Sequence, residues 1–508
     1  MEFDSMTICG LVLAVVICII SLLILYARWN YGFLESLGIP VAEPHFIFGS
    51  LFSTRFTPIG YRDVDLMKKY GPLFGVYAGR QPKIYVCDPD ILRLIMVKDA
   101  SFFDAKVALD FGDRFLNEMP DYLSNDKWKI VRGFTSPAFS GAKLRIMNYP
   151  MKKSLVEWGT RLKSSINTGG GRLEKCALDD LLFDGLTELT LNCMFSIQDN
   201  SGKFPRILKN LATPKALEYP NIKAIASSFP ILLKFLPPAQ LSPEPAQEFL
   251  RIIEDLVASR TAPNSPPDVI DLCIEQLKKI NTPEFRKAKM TKETILFQAF
   301  NFFFSGQDET ALLISAMIYH ILTSPAELRI EQKLYEEIDR LWEDLEDNGG
   351  DNQFPSREKL AQSDFLQANI YEALRLYPFF TAERVCTKSW FCEKYNFTVP
   401  KGMTITAPLW AANRNPEQFE NADNFDPERF LPGRKENLHT YALSSFGHGP
   451  RNCTGKPLAM EVLRVVCAYI FKNFRFHLRP DSQLIFHPDG PWVFIKHEPI
   501  YFDVTLRE

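Results

Sequence analysis

The hydrophobic pattern opens with 21 uncharged residues, Thr7 to Ala27, rich in Leu, Ile and Val. As a helix rising roughly 1.5 Å per residue, this run crosses a hydrocarbon layer of about 30 Å. Glu2 and Asp4 precede it, Arg28 follows, and Tyr26 and Trp29 sit where interfacial aromatics belong. A cleaved signal peptide would need a basic start, a shorter apolar region and a small-residue cleavage site. The pattern therefore predicts a transmembrane anchor over residues 1–28. The positive charge behind it favours a lumenal N-terminus and a cytosolic body. Residues 29–50, with Gly38-Ile39-Pro40, Pro44 and Gly49, read as a stiff extended linker.

Residues 51–508 read as one body, because nothing polar and flexible enough divides it and no repeat is present. Asp63–Lys69 predicts a helix, and Phe74–Tyr77 and Lys83–Val86 predict strands around a turn at Gly79. A continuous helical pattern runs from about Lys292 to Leu322. Ser324-Pro325-Ala326-Glu327 has the form of a capping box and predicts a helix start, as does Asp364-Phe365-Leu366-Gln367, whose helix ends before Pro378. Pro263–Pro267 and Asp347–Pro355 read as loops. The fold class expected is mainly α with small β-sheets.

Composition changes this picture little. Apolar residues make up 46% of the chain, ordinary for a large core, and 41 Phe suit either a plain core or an apolar cavity. The formal charge of −3 speaks against a nucleic-acid binder. Ten cysteines form no C-x-x-C and no zinc-ligand spacing, so the thiols read as reduced and cytosolic.

One cysteine has a distinctive setting. Phe446-Gly447-His448-Gly449-Pro450-Arg451-Asn452-Cys453-Thr454-Gly455 is a tight loop ahead of an apolar helix, Ala459–Phe471. A helix N-terminus and a neighbouring Arg451 favour a thiolate at Cys453. Gly449 and Gly455 allow a flat group to approach the backbone, and Phe446 can shield the sulfur. Elsewhere, Glu372-Ala373-Leu374-Arg375 places an acid and a base on one helix face, and Phe425-Asp426-Pro427-Glu428-Arg429 supplies a further Arg. Trp128 and Arg132 share a face at i,i+4 spacing.

These motifs, in this order, resemble the cytochrome P450 family, closest to its animal microsomal branch. The loop meets all five fixed positions of the family signature F-x-x-G-x-R-x-C-x-G, the helix meets E-x-x-R, and Trp128–Arg132 meets W-x-x-x-R. The resemblance implies haem b with Cys453 as thiolate ligand of the iron, and thiolate donation favours O–O cleavage. It further implies Trp128, Arg132, Arg384 and Arg451 as propionate partners, and a buried Glu372/Arg375 pair locked by Arg429. The implied reaction is insertion of one oxygen atom from O2 into a lipophilic molecule at the endoplasmic reticulum membrane. Electrons would come from an NADPH-cytochrome P450 reductase, with cytochrome b5 as a second candidate donor, docking near Lys127, Lys129, Lys456 and Arg464. Some of Phe300, Phe302, Phe303 and Phe304 should face the distal cavity, and Phe229–Leu241 should lie at the mouth of a substrate channel.

One departure stands out. The family's central helix usually reads A/G-G-x-D/E-T-T/S, and here it reads Ser305-Gly306-Gln307-Asp308-Glu309-Thr310. Asp308 keeps the acid, but Glu309 occupies the position of the Thr that helps deliver protons during oxygen activation. Two expectations follow. Either a single-turn π-bulge brings Thr310 into register, or Glu309 itself, with a raised pKa, relays protons. Rival readings are a haem-thiolate peroxide isomerase or dehydratase, which needs neither reductase nor Thr, and a haem-binding protein without turnover.

Overall fold

The computed structural model describes residues 5–106, 116–120, 122–123, 125–198, 202–211, 220–235, 243–264, 267–346, 354–379, 381–487 and 497–507. It is mostly helical. The helices that frame the site are α1 (Ser5–Arg28), α2 (Asn125–Thr135), α3 (Leu178–Thr190), α4 (Lys203–Leu211), α5 (Pro243–Ser259), α6 (Lys292–Phe304), α7 (Gln307–Thr323), α8 (Ile330–Glu346), α9 (Asp364–Leu376) and α10 (Lys456–Asn473). α6 and α7 are buried on nearly every side, as befits segments apolar all round.

A four-stranded sheet carries the order β1-β2-β7-β4, from β1 (Leu73–Ala78), β2 (Gln81–Val86), β4 (Thr381–Val385) and β7 (Thr404–Pro408). A three-stranded sheet has the order β3-β9-β8, from β3 (Arg172–Ala177), β8 (Phe474–Leu478) and β9 (Tyr501–Leu506), and β5 (Trp390–Cys392) pairs with β6 (Phe397–Val399). The strand pair expected near the N-terminus is β1/β2, antiparallel and joined through Gly79 at φ 61°. A side chain at Gly79 would also run into the Ser227 carbonyl, so the turn needs glycine twice over. One apolar core fills the helical body, and a second lies around the four-stranded sheet.

α1 contains one stretch, Ile8–Arg28, long and apolar enough to cross a membrane. At its end Ala27 is fully buried, Tyr26 stacks on Phe229 at 6.1 Å, and the Arg80 guanidinium lies 3.9 Å from the Tyr26 ring centroid. Residues 29–50 differ from the extended linker expected. Leu34 and Ala42 are buried, and the Ala42 and Gly75 amides bond to the Gly75 and Pro40 carbonyls, so the segment is packed along β1. Phe229–Phe235 forms a turn with Ile231 and Leu232 exposed, while 236–241 lie outside the described residues, as do 265–266 and 347–353 of the two expected loops.

The expected helix from Lys292 to Leu322 is broken at Ser305-Gly306. The Ser305 hydroxyl donates to the Asn301 carbonyl at 2.6 Å, and Gly306 leaves the helical region at φ −143°. A side chain competing for the backbone, followed by the residue with most conformational freedom, explains the break. Ser324 closes α7, its hydroxyl donating to the His320 carbonyl at 2.6 Å, and the helix start expected here is a short 3-10 turn, Ala326–Leu328, ahead of α8 at Ile330. α9 does start at Asp364, but its cap is tertiary. Glu337 of α8 accepts the Phe365 and Leu366 amides at 3.0 and 2.7 Å.

Candidate functional site

The loop before α10 owes its shape to glycines at positive φ, Gly447 at 64° and Gly449 at 70°. Any side chain at Gly449 would meet the Met96 carbonyl. The Cys453 amide donates to the Phe446 carbonyl at 2.8 Å, closing the loop and leaving Cys453 exposed two residues before the Gly455 cap of α10.

The predicted donors gather around this loop. Arg132 of α2 donates to the Asn452 carbonyl at 2.7 Å, to Asn452 Oδ1 at 2.6 Å and to the Thr454 hydroxyl. Arg451 lies over the Trp128 ring at 3.8 Å and donates to the Leu123 and Asp104 carbonyls at 2.7 Å each. Arg384 on β4, almost fully buried, reaches the Arg451 carbonyl at 3.5 Å. A soft sulfur donor beside three guanidiniums and an indole fits a flat dianionic group with a thiolate-liking metal, which is the chemistry of a haem with two propionates.

Glu372 and Arg375 have fully buried side chains. Their pairing is bidentate at 2.7 Å for both bonds, and Arg375 also donates to the Asn413, Ala422 and Asn424 carbonyls at 3.1, 2.7 and 3.0 Å. The Asp426 amide donates to Glu372 at 2.8 Å, and Arg429 Nε does so at 3.4 Å. Asn413 extends this network to the loop. Its amide donates to the Arg375 carbonyl at 3.2 Å and to the Ser445 hydroxyl at 3.0 Å, and its Oδ1 accepts the Ser444 amide at 3.1 Å. The Ser445 hydroxyl in turn donates to the Leu374 carbonyl at 2.6 Å. Sequence reasoning missed Asn413 and Ser445, which carry no motif of their own.

On the other side, the phenylalanines of α6 divide. Phe303 stacks on Phe249 of α5 at 4.9 Å and meets Phe204 of α4 at 5.5 Å, while Phe300 meets Phe249 at 5.3 Å. Those two rings therefore pack against the aromatic side chains of α4 and α5. Phe302 turns the other way and meets Phe139 at 5.1 Å, whose ring lies beside Gly455. Past Phe302 the helix breaks at Ser305-Gly306, both exposed, and Glu309 lies in the first turn of α7.

Beyond the break, the Thr310 amide donates to the Gly306 carbonyl at 3.3 Å, an ordinary i to i−4 bond. No π turn forms here; the π turns of the described residues are Leu94–Lys98 and Leu191–Phe195. The expected bulge is thus replaced by a break between two regular helices. Glu309 is 8% exposed, and neither carboxylate oxygen has a hydrogen-bond partner. Burial, with the like charge of Asp308 adding, pushes its carboxyl up to about 8. Asp308 is also held above the ordinary carboxylate range, first by desolvation, with Asp179 and Asp180 adding and His497 and Lys209 opposing. His320 on α7, half-buried and neutral with its pKa pushed down to about 4 by desolvation, bonds the Tyr377 hydroxyl and stacks on Phe425 at 5.3 Å, joining α7 to the Glu372 network.

Of the basic residues expected at a docking face, Lys129 and Lys456 stand exposed. Lys127 is paired with Glu118 at 2.7 Å, and Arg464, 16% exposed, is turned inward onto Gln367 at 3.0 Å.

The family model for cytochrome P450 matches residues 39–504, and the chain belongs to that family. It is a haem-thiolate monooxygenase by class. Among its relatives, it is 27% identical over 506 residues to cytochrome P450 3A56 of Fundulus heteroclitus, covering 97% of each chain. It is 28% identical over 480 residues to cytochrome P450 3A28 of Bos taurus, covering 91% of this chain and 89% of the relative.

Proposed function

We propose that this protein oxygenates a lipophilic small molecule such as a steroid, fatty acid or xenobiotic, with Cys453 as the iron ligand and Trp128, Arg132, Arg384 and Arg451 as the groups around the propionates. The observation that carries the reading is the convergence of those four donors on the Cys453 loop. Bound haem supplies the oxidising chemistry, in which one atom of O2 enters the substrate and the other leaves as water. The chain's own residues do the rest. The Asn413–Ser445 bridge holds the loop that presents the sulfur, and Phe446 limits water beside it. Glu309, in the first turn of α7, stores a proton at neutral pH. The regular ladder at Thr310 favours Glu309 over Thr310 as the proton-handling group.

Electrons would come from an NADPH-dependent reductase, with cytochrome b5 as a second candidate donor, and the exposed Lys129 and Lys456 are the better docking cations. α1, Arg28 behind it and the exposed Ile231 and Leu232 support anchoring to the endoplasmic reticulum membrane with the body in the cytosol.

The test is turnover with NADPH and reductase against turnover with an organic hydroperoxide alone. The reading expects NADPH-dependent product that requires O2. Efficient rearrangement or dehydration of the hydroperoxide with no NADPH-dependent product would favour the isomerase. Within the first outcome, Glu309→Gln should uncouple NADPH use from product more than Thr310→Ala, and the reverse ranking would return the role to Thr310.

A further inference from the structure

The end of the membrane anchor is tied to the body through Arg80, in the turn between β1 and β2. Its guanidinium lies 3.9 Å from the Tyr26 ring centroid. Its carbonyl accepts the Asn30 side-chain amide at 3.0 Å, and its own amide donates to the Ser227 carbonyl at 3.4 Å. Two residues past Ser227, the Phe229 ring faces Tyr26 at 6.1 Å with 13° between the planes. The contacts close a ring that runs from Tyr26 to Arg80, on to Ser227 and Phe229, and back to Tyr26.

The surroundings are shaped for this clasp. A side chain at Gly79 would run into the Ser227 carbonyl, so the β-turn and the helix Pro220–Ser228 meet backbone to backbone. At the other end of that helix Arg55 Nε donates to Asn221 Oδ1 at 2.7 Å. Ala27 and Ser228, the neighbours of the two rings, are fully buried. A guanidinium is weakly hydrated and lies well on an aromatic face, which makes arginine suited to hold a tyrosine at a wet boundary. Tyr26 is also the last residue but one of the uncharged run, so it marks the level at which the chain leaves the hydrocarbon. Just past Phe229, Ile231 and Leu232 are exposed, and the clasp sets this apolar turn at the same level.

We propose that Arg80 and Tyr26 are positioning residues for substrate entry: their clasp on Ser227 and Phe229 ties the 220–235 segment to the anchor and holds its apolar turn at the bilayer surface, where lipophilic molecules pass from lipid toward the haem pocket. The anchor is then part of the entrance and not a bare tether. The proposal rests on the function proposed above only in taking a haem pocket as the destination.

The test uses the haem-loaded full chain in phosphatidylcholine nanodiscs and two probes that ligate ferric haem through an imidazole nitrogen. N-dodecylimidazole resides in the bilayer, whereas imidazole itself arrives from water. The Soret shift gives an association rate for each probe without NADPH or turnover. Arg80→Ala and Tyr26→Ala should slow N-dodecylimidazole about tenfold, the scale of one partly desolvated cation–aromatic contact, and leave imidazole unchanged. Tyr26→Phe keeps the ring and should keep the wild-type rate. Amide hydrogen exchange at 225–229 should rise in both alanine variants while β1 stays protected, which separates release of the clasp from general unfolding. Unchanged N-dodecylimidazole association in both alanine variants overturns the proposal, and so does equal slowing of the two probes. Selective slowing in a protein without NADPH-dependent product supports the clasp and counts against the monooxygenase reading alone.

Discussion

Around Glu372 and Arg375, two fully buried charges meet each other and three backbone carbonyls, and a backbone amide and Arg429 complete the set. Around Glu309, an equally enclosed carboxyl meets nothing. Both groups are costly to bury, and only the first is compensated. The proximal network fixes the position of a loop and gains by having every polar atom paired. Glu309 can hold or release a proton because no cation pins its charge, and a paired carboxylate would stay ionised through the neutral range. His320 links the two regions, so a stiff network lies next to a group left able to change its charge.

The largest break in this comparison is Arg375→Ala. It leaves Glu372 as an uncompensated buried charge and should cost about 3–5 kcal/mol in a denaturant titration, with loss of haem on gel filtration. Normal stability and haem content would mean that the network is dispensable.

Glu309→Gln should act in the opposite direction. Its carboxyl is held at about 8 against an ordinary 4.5, so the folded protein binds that proton more tightly than the unfolded chain. Stability tied to this group is therefore lost as pH rises from about 4.5 to about 8, at up to roughly 1.4 kcal/mol per pH unit. The glutamine variant does not ionise, so its advantage over wild type should grow between acid and alkaline pH, reaching on the order of a few kcal/mol. A difference that stays constant with pH would show that Glu309 is already satisfied.

Asn413→Ala should have the smallest effect, about 1–3 kcal/mol, because it orphans buried partners without leaving a charge. Its signature is local. The Ser444–Ser445 segment should loosen and haem should dissociate faster, while the Glu372/Arg375 pair persists. A haem off-rate equal to wild type would remove Asn413 from the account.

Legibility in the sequence follows the same division. The Cys453 loop and the Glu372/Arg375 spacing could be read because glycines at positive φ and an i,i+3 pair are local requirements written in adjacent residues. Trp128, Arg132 and Arg384 could be read by family resemblance, and the structure brings them to the same loop. Asn413, Ser445 and Glu337 could not, because their partners lie 28 to 71 residues away and an isolated Asn, Ser or Glu carries no sign of them. The polar Ser305-Gly306-Gln307-Asp308 stretch marks where a distortion is expected, but apolar periodicity that continues on both sides hides that it is a break and not a single-turn bulge. The packing of Phe300 and Phe303 depends on rings from α4 and α5, which no periodicity in α6 reveals.

The account rests most on Cys453 as the thiolate ligand, and the reduced carbon monoxide spectrum of Cys453→Ser tests this directly. Wild type should give the long-wavelength band of a thiolate-ligated haem, and the variant should lose that band even where some haem is retained. A Cys453→Ser protein that keeps the wild-type band position would contradict the assignment.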